Sequence, residues 1–156
     1  MEFGEVDLDT ILKRCIQSEH PKFDPGFTQF YWKEMLECVA AVHRHDVVHS
    51  DLKPANFLLV RGSLKLIDFG IANVIQDDTI NVHREHQVGT PNFMAPEALN
   101  YANTDTTRHI GEGKVVKLGK PSDIWSLGCI LYLMVYGKAP FAQCQGNLQK
   151  AVLITN

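Results

Sequence analysis

Asp51, Lys53 and Asn56 lie within His49-Ser50-Asp51-Leu52-Lys53-Pro54-Ala55-Asn56, and a second carboxylate opens Asp68-Phe69-Gly70 beyond a Gly-containing turn. Two carboxylates and an amide that reach one point are the oxygen donors a hard cation such as Mg²⁺ keeps, and Mg²⁺ in turn bridges nucleotide phosphates. Taken singly, each piece has a plainer reading. Asp-Phe-Gly is a common turn after a strand, and His-x-Asp can be a core histidine beside a helix cap. Other clusters carry less. His43, His45 and His49 sit close together, but no second group of Cys or His lies at ligand spacing, so they read as non-metal residues. Cys15, Cys38, Cys129 and Cys144 are widely separated without a C-x-x-C pair, which predicts reduced, mostly buried thiols.

The elements that must position these residues follow from apolar spacing. Leu8, Ile11 and Leu12, with Asp7 and Asp9 near the start, predict a short helix over Leu8–Arg14. Ser18–Gly26 holds two prolines and reads as a loop. Phe27, Tyr31, Met35, Val39 and Val42 predict a long, well-buried helix from Phe27 to about His45. Val47-Val48 begins an extended patch, and Phe57–Val60 and Leu64–Ile67 flank a hairpin connection Arg61-Gly62-Ser63. From Asp68 to Glu97 the chain is largely polar, longer than most structureless connections, and such loops are usually functional. Asn100–Lys120 reads as an exposed insertion with Lys114, Lys117 and Lys120. Ser122-Asp123 can cap a helix that is apolar on nearly every side through Met134, ended by Gly137 and Pro140, and the tail from Gln143 to Asn156 looks helical.

The whole chain has 156 residues, 45% of them hydrophobic and 21% charged, which suits one folded domain and excludes a disordered or collagen-like polymer. A net charge of −3 supplies no field that recruits nucleic acid or anionic lipid. The acidic start is unlike a signal peptide, and the apolar run Cys129–Tyr136 is too short to span a bilayer. A soluble intracellular protein is expected.

Taken in order, His49-Ser50-Asp51 through Asn56, Asp68-Phe69-Gly70 and Ala95-Pro96-Glu97 resemble the catalytic core of the eukaryotic protein kinases. The resemblance implies ATP and Mg²⁺ as cofactors and protein substrates as partners. It implies that Asp51 accepts the substrate hydroxyl proton, that Lys53 offsets charge on the transferred phosphoryl group, and that Asn56 and Asp68 hold the metal. Lys53, two residues after Asp51, and Thr90 in Gly89-Thr90 match the serine/threonine type, in which the threonine lies against Asp51 and Lys53. By the same match Asp123 holds the catalytic loop through its backbone amides. Leu58 floors the adenine pocket, the segment from Met1 to Gly4 is the hinge, and Glu2, Gly4 and Asp7 are nucleotide-side candidates. His49, Phe69 and Glu97 are structural.

Ile67-Asp68-Phe69-Gly70-Ile71-Ala72-Asn73, Gln87-Val88-Gly89-Thr90 and Ser126-Leu127-Gly128-Cys129-Ile130-Leu131-Tyr132, together with Ser50, are similar to the monopolar spindle (TTK-like) dual-specificity kinases. That resemblance implies a mitotic-checkpoint setting at kinetochore and spindle. Most kinases carry Arg at position 50 and use it to bind a loop phosphate, a bidentate contact serine cannot make. Thr79 is the candidate phosphosite. The expected fold class is α+β: the mainly helical C-terminal lobe of the kinase fold with small β-hairpins. Residues 1–156 then form a partial kinase domain from the hinge to just past the central core helix, without the N-lobe or the final helices. Alone it is expected to be inactive, Glu97 lacks its partner arginine, and the rival reading is a kinase-derived binding module.

Overall fold

In the computed structural model, residues 6–17, 24–68, 73–74, 92–102, 118–144 and 146–155 are described. Asp7 closes a short strand β1 (Val6–Asp7) and caps helix α1 (Leu8–Ile16), accepting from the Thr10 amide at 2.9 Å and the Thr10 hydroxyl at 2.8 Å. Those bonds satisfy donors that a helix start leaves open, and the Thr10 amide holds the Asp7 carboxyl below its ordinary range. Helix α2 (Pro25–His43) begins and ends two residues earlier than its apolar spacing suggests. Asp24 caps it through the Gly26 and Phe27 amides, and Pro25 fits a first turn whose N–H is not needed. At its far end Asp46, at φ 54°, turns the chain into strand β2 (Val47–Val48).

A 3-10 turn, Pro54–Asn56, leads into β3 (Phe57–Val60) and β4 (Ser63–Leu66). Their connection is two residues rather than the three expected. Arg61 at φ 50° and Gly62 at φ 83° give the mirror-image turn that matches strand twist, so Ser63 pairs with Val60 instead of sitting in the loop. β1 adds antiparallel to β3, giving the order β1-β3-β4 and setting Asp7 opposite Leu58. A second ribbon pairs β2 with β5 (Asn73–Val74).

Helix α3 (Pro96–Ala102) carries helical backbone into the stretch expected to be an exposed insertion. Helix α4 (Lys120–Tyr136) starts earlier than expected, with Gly119 at the cap; Ser122 and Asp123 fall inside its first turn and do not cap it. Asp123 bonds elsewhere, as described below. The left-handed Gly137, at φ 70°, ends α4 by donating its amide to the Leu133 carbonyl. Helix α5 (Asn147–Thr155) occupies most of the tail.

Leu8 and Leu12 of α1, Met35 and Val39 of α2, Leu52, Phe57, Leu64, and Leu127 and Ile130 of α4 form one buried cluster. A second joins Leu99 of α3 to Ala151 and Ile154 of α5, with Met94, Trp125 and Phe141 against it. Helix α4 is less uniformly buried than its composition suggests, because Ile124 and Tyr136 are exposed. All four thiols are free; Cys129 is buried, Cys38 and Cys144 are half-buried, and Cys15 is exposed against expectation. Among the described residues no helix is long and apolar enough to cross a membrane.

Candidate active site

The loop from His49 to Asn56 runs between β2 and β3 and has few backbone bonds of its own, so its shape depends on side chains from outside. Asp123, 1% exposed on α4, supplies the main one. Its Oδ2 accepts the His49 amide at 2.9 Å and lies 2.7 Å from His43 Nε2, while its Oδ1 accepts the Ser50 amide at 2.9 Å. A carboxylate whose two oxygens already face two N–H donors leaves the imidazole to act as a third donor. These bonds over-determine Ser50, which is buried with φ 69°, a conformation that costs a non-glycine residue about 1–3 kcal/mol.

His49 carries the constraint forward. Its ring is buried, Nδ1 accepts the Asp51 amide at 3.3 Å, and Nε2 lies 3.4 Å from the Ile67 carbonyl. The Ile67 amide in turn donates to the Asn56 carbonyl at 2.8 Å. Thus Asp68, at φ 63° and exposed, leaves its strand beside Asn56 although twelve positions separate them in sequence. Asn56 is buried; its Oδ1 accepts the Lys53 amide at 3.0 Å, which closes the 3-10 turn and orients the carboxamide. Lys53 Nζ lies 3.0 Å from Asp51 Oδ2, both partly exposed. The fold therefore assembles Asp51, Lys53, Asn56 and Asp68 around one loop, with His49 and Asp123 behind it.

Of the nucleotide-side candidates, Asp7 and Leu58 face each other across β1 and β3, and Leu58 stands two residues past Asn56. Both Asp7 oxygens are engaged by Thr10. Glu97 lies in the first turn of α3. Glu2, Gly4, Phe69, Thr79 and Thr90 fall outside the described residues.

Sequence patterns did not single out three supports. His43 reaches Asp123 across eighty positions, a pairing that no local spacing encodes. The Ser126 hydroxyl donates to the Phe93 carbonyl at 2.7 Å, and Lys150 Nζ donates to Asn92 Oδ1 at 2.6 Å. An exposed Lys120–Asp46 pair at 2.7 Å also ties α4 to the turn after α2.

Residues 1–156 match the family model described as protein kinase domain. Serine/threonine-protein kinase mph1 of Schizosaccharomyces pombe is 57% identical over 91% of this chain and 20% of its own length. Serine/threonine-protein kinase MPS1 of Saccharomyces cerevisiae is 53% identical over 94% of this chain and 19% of its own. Dual specificity protein kinase TTK of Mus musculus is 46% identical over 100% of this chain and 17% of its own. The chain spans about a fifth or less of the length of these curated relatives. A match along all 156 residues, on a fold that gathers the His-x-Asp loop and the Asp-Phe-Gly aspartate at one place, places the chain in the protein kinase domain family.

Proposed function

We propose that these residues form the catalytic half of a protein kinase of the monopolar spindle type, which transfers the γ-phosphoryl group of ATP to serine and threonine hydroxyls, and in dual-specificity fashion to tyrosine. The observation that carries this reading is the gathering of Asp51, Lys53 and Asn56 on one loop tied to α4 by Asp123, with Asp68 following the residue whose amide bonds the Asn56 carbonyl. In the proposed step the substrate oxygen forms a bond to the γ-phosphorus, the bond from phosphorus to the β,γ-bridging oxygen breaks, and the hydroxyl proton passes to the Asp51 carboxylate. Lys53, within hydrogen-bond reach of Asp51, offsets the negative charge of the group in transit.

The donor set fits Mg²⁺. Asp68 offers a solvent-facing carboxylate, and the Asn56 amide oxygen keeps a second lone pair beyond its bond to Lys53. When bound there, the ion neutralises phosphate charge. Asp7 and Leu58 would line the nucleotide side together with Glu2 and Gly4, Thr90 would lie against Asp51 and Lys53, and Thr79 would be the regulatory phosphate acceptor. A kinetochore setting belongs to the same proposal, drawn from the similarity to the monopolar spindle kinases.

The activity is that of a whole kinase domain, so the test exchanges the matching segment of the S. pombe relative for this chain. The purified chimera should transfer labelled phosphate from ATP to serine and threonine of a protein substrate. A folded chimera that binds protein partners yet transfers no phosphate would favour a binding module instead.

A further inference from the structure

Glu34 and Cys38 lie one turn apart on α2, and the reading above uses neither. Both reach a single residue of β4. The Leu64 amide donates to Glu34 Oε2 at 2.9 Å, and Cys38 Sγ donates to the Leu64 carbonyl at 3.2 Å. Burial first and the Glu34 charge second push the Cys38 thiol up, so at neutral pH it keeps the proton it donates.

β4 is the edge of its sheet, and these two side chains stand where a further strand would pair. Facing residues of an antiparallel pair alternate between exchanging both backbone bonds and exchanging none. The two-residue turn closes on Val60 and Ser63, so Leu64, opposite Leu59, falls in the second class and turns its amide and carbonyl away from β3. Its side chain enters the core cluster. β4 is therefore held by β3 on one edge and by α2 on the other. Beyond Leu66, where β4 ends, the Ile67 amide donates to the Asn56 carbonyl at 2.8 Å, and Asp68 follows at φ 63°.

We infer that Glu34 and Cys38 are positioning residues for Asp68: by bonding the outer edge of β4 they fix the strand that delivers this carboxylate one residue past the bond to Asn56. The inference rests on the kinase reading for the role of Asp68, though not for the geometry. Without these bonds β4 is tied to β3 alone, and a strand paired on one edge twists more freely. That movement passes through Ile67 to Asp68. Asp51 and Lys53 sit instead on the loop that Asp123 holds from α4. Loss of the hold on β4 should therefore act on the metal side of the site and spare the side that receives the substrate hydroxyl.

Two measurements test the hold and its consequence separately. By NMR hydrogen exchange in this chain, Glu34→Ala should speed the Leu64 amide about tenfold or more and carry the Ile67 amide with it by about threefold or more, while the Ser50 amide stays within about twofold of the parent. Glu34→Gln, which keeps an acceptor, should stay near the parent. Cys38→Ala removes a weaker bond, should give the same pattern at smaller size, and stands in if Glu34→Ala does not fold. A faster Leu64 amide with Ile67 unchanged, or equal acceleration at Ser50, would overturn the positioning role. In the S. pombe chimera, Glu34→Ala should raise the Mg²⁺ concentration for half-maximal transfer about tenfold, the lower end of what groups behind a metal ligand contribute. KM for a protein substrate should stay within about twofold, and Glu34→Gln should recover most of the loss. An unchanged Mg²⁺ dependence, or an equal rise in KM for protein, would overturn the inference. An inactive parent chimera beside the expected exchange pattern would count against the kinase reading and not against the hold on Asp68.

Discussion

Replacing Asp123 by Asn removes one acceptor and one charge while leaving shape almost unchanged, so it measures how much the catalytic loop depends on that carboxylate. Three donors converge there: the His49 amide and His43 Nε2 on one oxygen and the Ser50 amide on the other. In the variant the single remaining oxygen does best where two donors meet, which leaves the new NH2 facing the Ser50 amide. One buried N–H is then orphaned, at about 1–3 kcal/mol, and the two surviving bonds lose charge assistance worth about 1 kcal/mol each. The expected loss is about 3–5 kcal/mol, a large share of the roughly 5–15 kcal/mol total of an ordinary domain. With a urea dependence of about 2–3 kcal/mol per molar, the unfolding midpoint should fall by about 1–2.5 M. Amide hydrogen exchange at Ser50 should accelerate in step. Lys120→Ala is the control, because it breaks an exposed pair from the same helix and should cost under about 1 kcal/mol. A midpoint shift for Asp123→Asn no larger than that of the control would refute the reasoning.

Asp68→Ala in the chimera should lower phosphate transfer by more than about a hundredfold and raise the Mg²⁺ concentration needed for half-maximal rate; retention within about tenfold would argue against its place in the metal set. Asp7→Ala should cost about 0.5–2 kcal/mol by urea titration, as a lost cap does. Because the Asp7 carboxyl is held below its ordinary value of 3.8, its contribution is present above that value and lost as pH falls through the depressed one, so parent and variant should converge in acid. Burial pushes the Cys129 thiol up to about 11 from 9.0, so iodoacetamide should alkylate exposed Cys15 far faster in the folded chain, as read by mass spectrometry. The sign for stability is opposite to that of Asp7: the unfolded chain releases this proton first, so the Cys129 contribution is full below pH 9 and declines as pH rises toward 11.

The helices around the site were legible because burial imposes a period on α1 and α2 and an almost unbroken apolar run on α4, and the loop was legible because its chemistry is written in consecutive residues. Boundaries moved where a local device outranked the apolar pattern. Asp24-Pro25 starts α2 ahead of its first apolar residue, and the paired positive φ angles at Arg61 and Gly62 shorten the hairpin turn by one residue. Asp123 shows the other limit. Its place in a first turn resembles a cap, yet its carboxylate points to amides more than seventy positions away, the use that the kinase resemblance implied and that no local pattern distinguishes from a cap. His43, Ser126 and Lys150 were missed for the same reason, since each acts on a partner at least thirty-three positions distant.

The central claim is that Asp51 is the proton acceptor of a phosphoryl-transfer site. The most direct test compares the S. pombe chimera carrying this chain with its Asp51→Asn variant, using labelled ATP and a protein substrate and matching the two for folded content by urea titration. The structure leaves no described carboxylate but Asp51 in contact with Lys53, so the account predicts transfer by the parent chimera and a loss of more than about a hundredfold in the variant, roughly 2.7 kcal/mol or more of barrier. Transfer by Asp51→Asn within about tenfold of the parent would contradict it.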